Sequence, residues 1–147
     1  MRLFTSFLLT TVIVLSAQTS DEKEAIATLQ RTLDGIAAHD GAMIRSTMLP
    51  DARIYVARDA AVPTHTELVD MIAQIVADKS VLLERFTSPP RVLIRGRMAQ
   101  VWGEYEFLRD GKFSHCGVDS ANLFKTADGW KIASLSYTTE KAGCKGQ

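Results

Sequence analysis

The sequence carries no excess charge of either sign, because 17 lysine and arginine residues balance 17 aspartate and glutamate residues. A protein that binds a nucleic-acid backbone needs a basic surface, and no block of basic or acidic residues is present. The composition therefore argues against nucleic-acid binding.

The chain is also poor in metal-binding and nucleophile motifs. Its three histidines, His39, His65 and His115, stand far apart, and no HExxH, CxxC or His-x-His pattern occurs. The Gly-x-Ser-x-Gly elbow of serine hydrolases and a glycine-rich phosphate loop are absent as well. We therefore expect neither a metal nor a cofactor.

No hydrophobic run is long enough to span a membrane. The longest, Leu3 to Leu15, has 13 residues, whereas a membrane span needs about 20. Because it follows Arg2 and precedes the small residues Ser16 and Ala17, it is typical of a secretory signal peptide, with a retained anchor as the alternative. We predict a signal peptide over residues 1–17 and one exported domain, periplasmic or secreted, over residues 18–147, without stable membrane insertion.

Only two cysteines are present, Cys116 and Cys144. In an exported protein two cysteines favour one disulfide. Strand pairing would place Cys116 opposite Glu140, so the tail must fold back, which Gly143 allows. A nucleophilic Cys116 activated by His115 is the alternative, but adjacent strand residues point to opposite faces.

The N-terminal half predicts three helices and one strand. Ser20 or Asp21 can cap a first helix to about Ala38, with one apolar stripe that includes Leu29 and Leu33. A short helix over residues 42–48 and a strand over residues 51–56 follow. Thr64 and Glu67 form a capping-box pattern before a third helix that ends near Lys79.

The C-terminal half predicts an antiparallel sheet. Strands are expected over residues 81–86 and 91–95, and two Asp-Gly turns, at 110–111 and 128–129, divide residues 98–139 into three strands. Helices gathered in one half against an antiparallel sheet indicate the α+β class.

The turns also predict strand register. A two-residue turn at 110–111 pairs Leu108 with Phe113 and places Glu106 opposite His115, and the next turn pairs Phe124 with Ile132 and Asp119 with Tyr137. One face would then form the core, with Val101, Tyr105, Phe107, Cys116, Val118, Phe124, Trp130 and Ile132. The other face would be polar and aromatic, with Trp102, Glu104, Glu106, His115, Asp119, Leu123, Leu135 and Tyr137.

The predicted Glu106–His115 pair is the main candidate for chemistry. A carboxylate raises the proton affinity of an imidazole and orients its ring, as a general base or proton shuttle requires. Asp119 or a tyrosine would be the hydrogen-bonding partner in this chemistry. The alternative is an exposed pair that stabilises the sheet by a few tenths of a kcal/mol.

Four aromatic residues are candidates for ligand binding: Tyr55, Trp102, Tyr105 and Tyr137. Tyr55 and Tyr105 could donate phenol hydrogen bonds inside a cavity, and Asp119 with Tyr137 or Trp102 could hold a ligand at its rim. The alternative is that the tyrosines pack in the core with satisfied hydroxyls and that Asp119 satisfies nearby backbone or water.

The order of elements, with the runs Phe113-Ser-His-Cys-Gly-Val-Asp and Asp128-Gly-Trp-Lys-Ile, resembles the nuclear transport factor 2-like superfamily from Glu22 to Cys144. It is most similar to exported polyketide-cyclase-like and lumazine-binding-like members. The resemblance implies a cone-like α+β barrel, with N-terminal helices packed on a curved antiparallel sheet, a conical pocket and a homodimer through the outer face of the sheet. The ketosteroid isomerase branch has its base at the end of the first strand, where this chain has Val56.

Three functions follow as hypotheses, because the fold does not determine one. The first is an exported protein that binds a small molecule between the sheet and the first and third helices. The second is a cofactor-free isomerase, dehydratase or cyclase that uses His115 for proton transfer, with Glu106 orienting it. The third is a dimeric interaction module without a ligand, whose interface includes Trp102, Glu106 and His115.

Overall fold

The computed structural model describes residues 18–58 and 61–144. The signal peptide predicted over residues 1–17 lies outside the described residues. The described elements are α1 Ser20–Ala37, α2 Gly41–Thr47, β1 Met48–Arg58, β2 Thr64–Glu67, α3 Leu68–Ala77, β3 Leu82–Phe86, β4 Arg91–Arg95, β5 Met98–Arg109, β6 Lys112–Thr126 and β7 Gly129–Thr139.

Helix α1 begins one residue earlier than the predicted caps allow. Its N-cap is Thr19, whose hydroxyl accepts from the Glu22 amide while the Glu22 carboxylate accepts from the Thr19 amide. This reciprocal capping box satisfies two amides that the helix itself cannot pair. None of the helices in the described ranges is long and apolar enough to cross a membrane.

The capping box predicted at Thr64 and Glu67 is wrong, because residues 64–67 form strand β2. They pair antiparallel with β1, with Val56 opposite Thr64 and Arg53 opposite Glu67. Helix α3 therefore starts at Leu68, and its N-cap, Glu67, makes no side-chain cap hydrogen bond. Residues 64–67 form a strand because the backbone amides and carbonyls of β1 are available to pair with them. A local sequence pattern does not show this distant pairing.

The seven described strands form one curved, open sheet in the order β2-β1-β7-β6-β5-β3, with β4 also paired to β5. The α+β class and the packing of helices on a curved sheet are confirmed. The sheet is mixed rather than wholly antiparallel, because β1 and β7 run parallel. This pairing brings the N-terminal strand beside the C-terminal one.

The hydrophobic core lies between the helices and the inner, concave face of the sheet. Helix α1 contributes its buried stripe, and the strands contribute residues such as Val101, Leu123 and Ile132, none of which is exposed to solvent. Strands β6 and β7 approach closely at Gly117, where a Cβ atom would lie 2.1 Å from the Thr138 carbonyl oxygen. Only glycine allows the two strands to approach so closely there.

His39 connects three elements beside the core. Its Nδ1 lies 2.8 Å from the carbonyl oxygen of Ile75 near the end of α3, and its Nε2 lies 3.0 Å from that of Ser80, just before β3. The imidazole thus ties the turn after α1 to both neighbours and holds α3 over the sheet.

Candidate functional site

A cavity of about 230 Å³ lies between the inner face of the sheet and helices α1 and α3. Most of its wall is aliphatic or aromatic, and a few polar groups converge on it, as in small-molecule sites. Its lining residues are Ile36, Ile54, Thr66, Met71, Gln74, Ile75, Glu84, Tyr105, Phe107, Arg109, His115, Asp119, Leu135 and Tyr137.

A β-bulge in β6 changes the predicted face of several of these residues. Leu108 pairs with Phe113 as predicted, but the next pair is Phe107 with His115, so Ser114 is an extra residue. An extra residue on one strand moves every later side chain to the other face relative to its neighbour. The predicted pairing of Glu106 with His115 is therefore wrong, and Glu106 pairs with Cys116.

Several residues therefore lie on the opposite face of the sheet from the one predicted. His115, Asp119 and Leu123 lie on the inner face with Tyr105 and Phe107. Phe124, predicted in the core, is exposed, because the same bulge turns it to the outer face of β6. A second irregularity, between Asn122 and Leu123, accompanies its pairing with Lys131 instead of Ile132. The predicted pair of Asp119 with Tyr137 is confirmed.

Glu106 lies away from the cavity, on the outer face. Its carboxylate accepts a hydrogen bond from Nε of Arg85 at 2.6 Å, within an exposed ion pair. It therefore cannot orient His115. The interaction face predicted for a ligand-free module is also divided, since Trp102 is exposed while His115 lines the cavity.

The acid that does reach the cavity is Glu84, which the sequence reasoning missed. In β3 the inward positions are Leu82, Glu84 and Phe86, alternating with the exposed Leu83 and Arg85. A charged residue between two inward apolar ones was the signal that could have found it. Glu84 and Asp119, from different strands, are called the carboxyl pair below.

Burial controls the protonation of the carboxyl pair. Asp119 is only 2% exposed, and burial raises its pKa to about 6. Burial also raises the pKa of Glu84 well above its usual range, and the charge of Asp119 and a hydrogen bond with it raise it further. Near neutral pH, Asp119 is therefore largely ionised, while burial and the Asp119 charge favour the protonated form of Glu84.

The carboxyl pair has no other donor within the described part of the chain. Asp119 Oδ2 is fully buried without a hydrogen-bond partner, and neither acid takes part in any of the ion pairs formed by described residues. The Asp119 carboxylate thus has no cation among the described residues to balance its charge.

Two of the four predicted ligand-binding aromatics line the cavity. The Tyr105 hydroxyl donates to the Thr138 carbonyl oxygen at 2.7 Å, and burial, then the charges of Glu84 and Asp119, raise its pKa. Tyr137 faces Asp119 across β6 and β7, and burial raises its pKa too. Tyr55 and Trp102 instead lie in a shallow apolar groove on the outer face.

His115 lies on the cavity wall without an orienting carboxylate. Its ring stacks on Phe107 with centroids 4.9 Å apart, meets Tyr105 edge-on at 5.8 Å, and its Nδ1 lies 3.0 Å from the Ser114 hydroxyl. Burial lowers the pKa of His115, and the charges of Arg109, Arg58 and Lys141 lower it further. The ring is neutral near pH 7, whereas the predicted pairing required the opposite shift.

Arg109 stands at the rim and is already paired. Its Nη1 donates to Asp78 Oδ2 at 2.8 Å and lies 2.7 Å from the Ser80 hydroxyl oxygen. Hydrogen bonds from Ser80, then from Arg109, hold the pKa of Asp78 below its usual range. In the described ranges no group of three or more His, Cys, Asp and Glu residues is arranged to hold a metal ion.

The predicted disulfide between Cys116 and Cys144 is confirmed. Cys116 exchanges two backbone hydrogen bonds with Glu140, and Gly143 takes a positive φ of 80° as the tail folds back. The tail covers Cys116 on the outer face, so neither cysteine is a free nucleophile.

Solved structures share this architecture at low sequence identity. A nuclear transport factor 2-like superfamily protein from Salmonella enterica serovar Typhimurium aligns with a TM-score of 0.66 and 16% identity, over 85% of this chain and 94% of that one. The chain has the nuclear transport factor 2-like fold. No family model matches it, and no curated protein matches it either.

Two other structures with the nuclear transport factor 2-like fold carry names of enzymes. A candidate dehydratase from Streptomyces avermitilis has a TM-score of 0.67 and 18% identity, over 82% of this chain and 96% of that one. A candidate aromatic ring hydroxylase from Novosphingobium aromaticivorans has a TM-score of 0.67 and 12% identity, over 84% of this chain and 92% of that one. Identities this low show the fold alone.

The two acids that line the cavity, Glu84 and Asp119, lie on strands β3 and β6. Val56 is buried on β1 and offers no ionisable group. Among the described lining residues, the carboxyl pair and His115 carry the carboxyl and imidazole groups that most often act as bases.

Proposed function

We propose that this protein binds a small molecule in the cavity, with the carboxyl pair as the polar anchor. The observation that carries the proposal is the buried Asp119 carboxylate, to whose Oδ2 no described group donates. An unsatisfied buried acceptor costs about 1–3 kcal/mol, so a ligand that donates a hydrogen bond there would recover that cost.

The size of the cavity limits the ligand. Its volume of about 230 Å³ lies just below the usual range of roughly 300–1,000 Å³ for drug-sized ligands. The aromatic rings of Tyr105, Phe107 and Tyr137 provide apolar contact surface around the pair. A compound with a single ring and one hydrogen-bonding group fits this space.

Blocking the cavity from helix α3 tests the proposal. Met71 lines the cavity, whereas Val69 on the same helix is 60% exposed. In NMR titrations with a library of single-ring compounds, we expect Met71→Trp to abolish ligand-induced shifts at Tyr105, His115 and Tyr137, because the indole fills the space. Val69→Trp is the matched control and should bind as the unmodified protein does.

Circular dichroism and dispersed amide spectra would show that both variants are folded. Equal binding by both would mean that ligands bind elsewhere, and a lack of binding to the unmodified protein would contradict the proposal.

A second candidate function is proton-transfer catalysis, as in an isomerase, dehydratase or cyclase. It is supported by the pKa of about 6 for Asp119, since a base works best when its pKa lies near the working pH. The neutral His115 on the same wall could relay the proton. Glu84, not Glu106, would then be the acid beside the base.

Hydrogen exchange at carbon distinguishes catalysis from binding. In deuterated buffer we expect the protein to accelerate loss of the α-proton signal of small cyclic ketones, at a rate that rises with pH through about 6 as Asp119 ionises. Asp119→Asn should remove the acceleration, by roughly 100-fold or more, while Asp128→Asn, in an exposed turn, should not. Binding without any acceleration would leave the protein a binding protein only.

We also propose that the protein works in an oxidising compartment after export. The disulfide supports this location, because such bonds persist mainly outside the reducing cytosol. The homodimer remains a prediction from the resemblance, and the outer groove around Tyr55 and Trp102 is where we would place its interface.

A further inference from the structure

We infer that the cavity selects a cationic ligand, a primary or secondary amine carried on a single-ring apolar body. The inference rests on the proposed small-molecule binding and names its ligand class. It is carried by the buried Oδ2 of Asp119, which has no hydrogen-bond partner, and by the half-buried Glu84 beside it, neither of which has a cationic partner within the described residues.

The side chains that face the carboxyl pair from the neighbouring elements do not neutralise its negative charge. Strand β5 contributes Tyr105 and the rim residue Arg109, which is already bound to Asp78. Strands β6 and β7 contribute His115 and Tyr137, both neutral near pH 7. Among the described lining residues, α1, α3 and β2 contribute only uncharged side chains.

Arg58, at the end of β1, and Lys141, in the tail, are two further cations whose charges reach this wall. Both act on His115, and Arg58 also acts on Tyr137, but neither lines the cavity or forms an ion pair with Glu84 or Asp119. Among the described residues, the Asp119 carboxylate thus has no counter-ion.

An ammonium group fits this arrangement better than other polar groups. It offers up to three N–H donors and one positive charge, whereas the pair offers acceptors and one negative charge. Buried charges in proteins are normally paired, and the faces of Tyr105, Phe107 and Tyr137 can add cation–π attraction. A carboxylate ligand would be repelled, and an alcohol would leave the charge unpaired.

Binding of a cation should also depend on pH. The ammonium group is attracted to the ionised Asp119 carboxylate, whose pKa burial raises to about 6. Amine affinity should consequently rise as pH increases through about 6, and fall once the amine itself loses its charge.

Three isosteric probes test the inference: benzylamine, benzyl alcohol and benzoate. By calorimetry at pH 7, we expect benzylamine to bind the protein roughly 10- to 100-fold more tightly than benzyl alcohol, as hydrogen bonds to charged groups exceed neutral ones. Benzoate should bind weakest. Benzylamine affinity should fall as the pH is lowered from 7 to 5, where Asp119 becomes protonated, whereas the affinity of benzyl alcohol should change little.

Two variants assign the effect to the pair. Asp119→Asn should remove the preference for the amine, whereas Glu84→Gln should keep amine binding, because the Asp119 carboxylate remains. Glu106→Gln, the same change on the outer face, should alter neither.

The outcomes separate this inference from the proposed function. If benzyl alcohol or benzoate binds at least as tightly as benzylamine, selection of a cation is wrong while small-molecule binding stands. If none of the three binds, the inference is wrong, and the Met71→Trp comparison decides the proposed function separately. Amine binding that Asp119→Asn leaves unchanged would also overturn it.

Discussion

Replacing Asp119 with Asn is expected to stabilise the folded protein by about 3 kcal/mol at pH 8. Burial raises the pKa of Asp119 from 3.8 to about 6, and each pKa unit corresponds to about 1.4 kcal/mol. Because the folded state binds this proton more tightly than the unfolded state, stability falls as pH rises from about 4 to about 6. Above about pH 6 the full cost of burying the ionised Asp119 carboxylate is present. The neutral side-chain amide in Asp119→Asn does not carry this cost.

Urea unfolding at pH 4 and pH 8 measures this effect. The gain in unfolding free energy should appear at pH 8 and nearly vanish at pH 4, where Asp119 is largely protonated in both states. The Asn amide can also donate to Glu84, so the pair keeps a hydrogen bond. Asp128→Asn, in an exposed turn, should change stability little at either pH. A variant less stable than the unmodified protein at pH 8 would contradict the prediction.

Loss of the disulfide is expected to lower the unfolding free energy by about 3–4 kcal/mol. The bond joins residues 28 apart in sequence, and in the chain-entropy model a loop of that length restricts the unfolded chain by about that amount. The tail segment from Glu140 to Cys144 would also lose its covalent bond to β6 and would be held there by the backbone hydrogen bonds between Glu140 and Cys116. Proteases should then cleave this segment faster.

Cys144→Ser and reduction of the unmodified protein provide matched measurements. Both should lower the urea midpoint by a similar amount, and reductant should have no further effect on Cys144→Ser. Unchanged stability after complete reduction, checked by thiol counting, would mean that the backbone bonds between Cys116 and Glu140 hold the tail by themselves.

The disulfide and the carboxyl pair differ in how far the sequence alone can predict them. The disulfide was predictable because the count of two cysteines, the predicted signal peptide and Gly143 before Cys144 all favour it. The carboxyl pair was not, because Glu84 and Asp119 are 35 residues apart and lie on strands separated by β5. The turn at 110–111 instead favours Glu106, the acid that a regular two-residue turn would place opposite His115.

The error at Glu106 has a local cause with distant effects. One extra residue, Ser114, enters β6 between the pairs Leu108–Phe113 and Phe107–His115. No residue pattern announces this bulge, yet it moves His115 and Asp119 from the predicted polar face into the cavity. A register shift of one residue thus decides which face holds the site.

The sequence by itself determined the α+β class, the helix stripes, the two hairpin turns and the disulfide. These depend on interactions between near neighbours, such as turn chemistry and apolar periodicity, or on a count of cysteines. Only the tertiary structure decided β2, the parallel pairing of β1 with β7, the bulge at Ser114 and the union of Glu84 with Asp119. Each of these depends on backbone pairing or burial between distant segments, whose free energy exists only once the sheet has closed around the core.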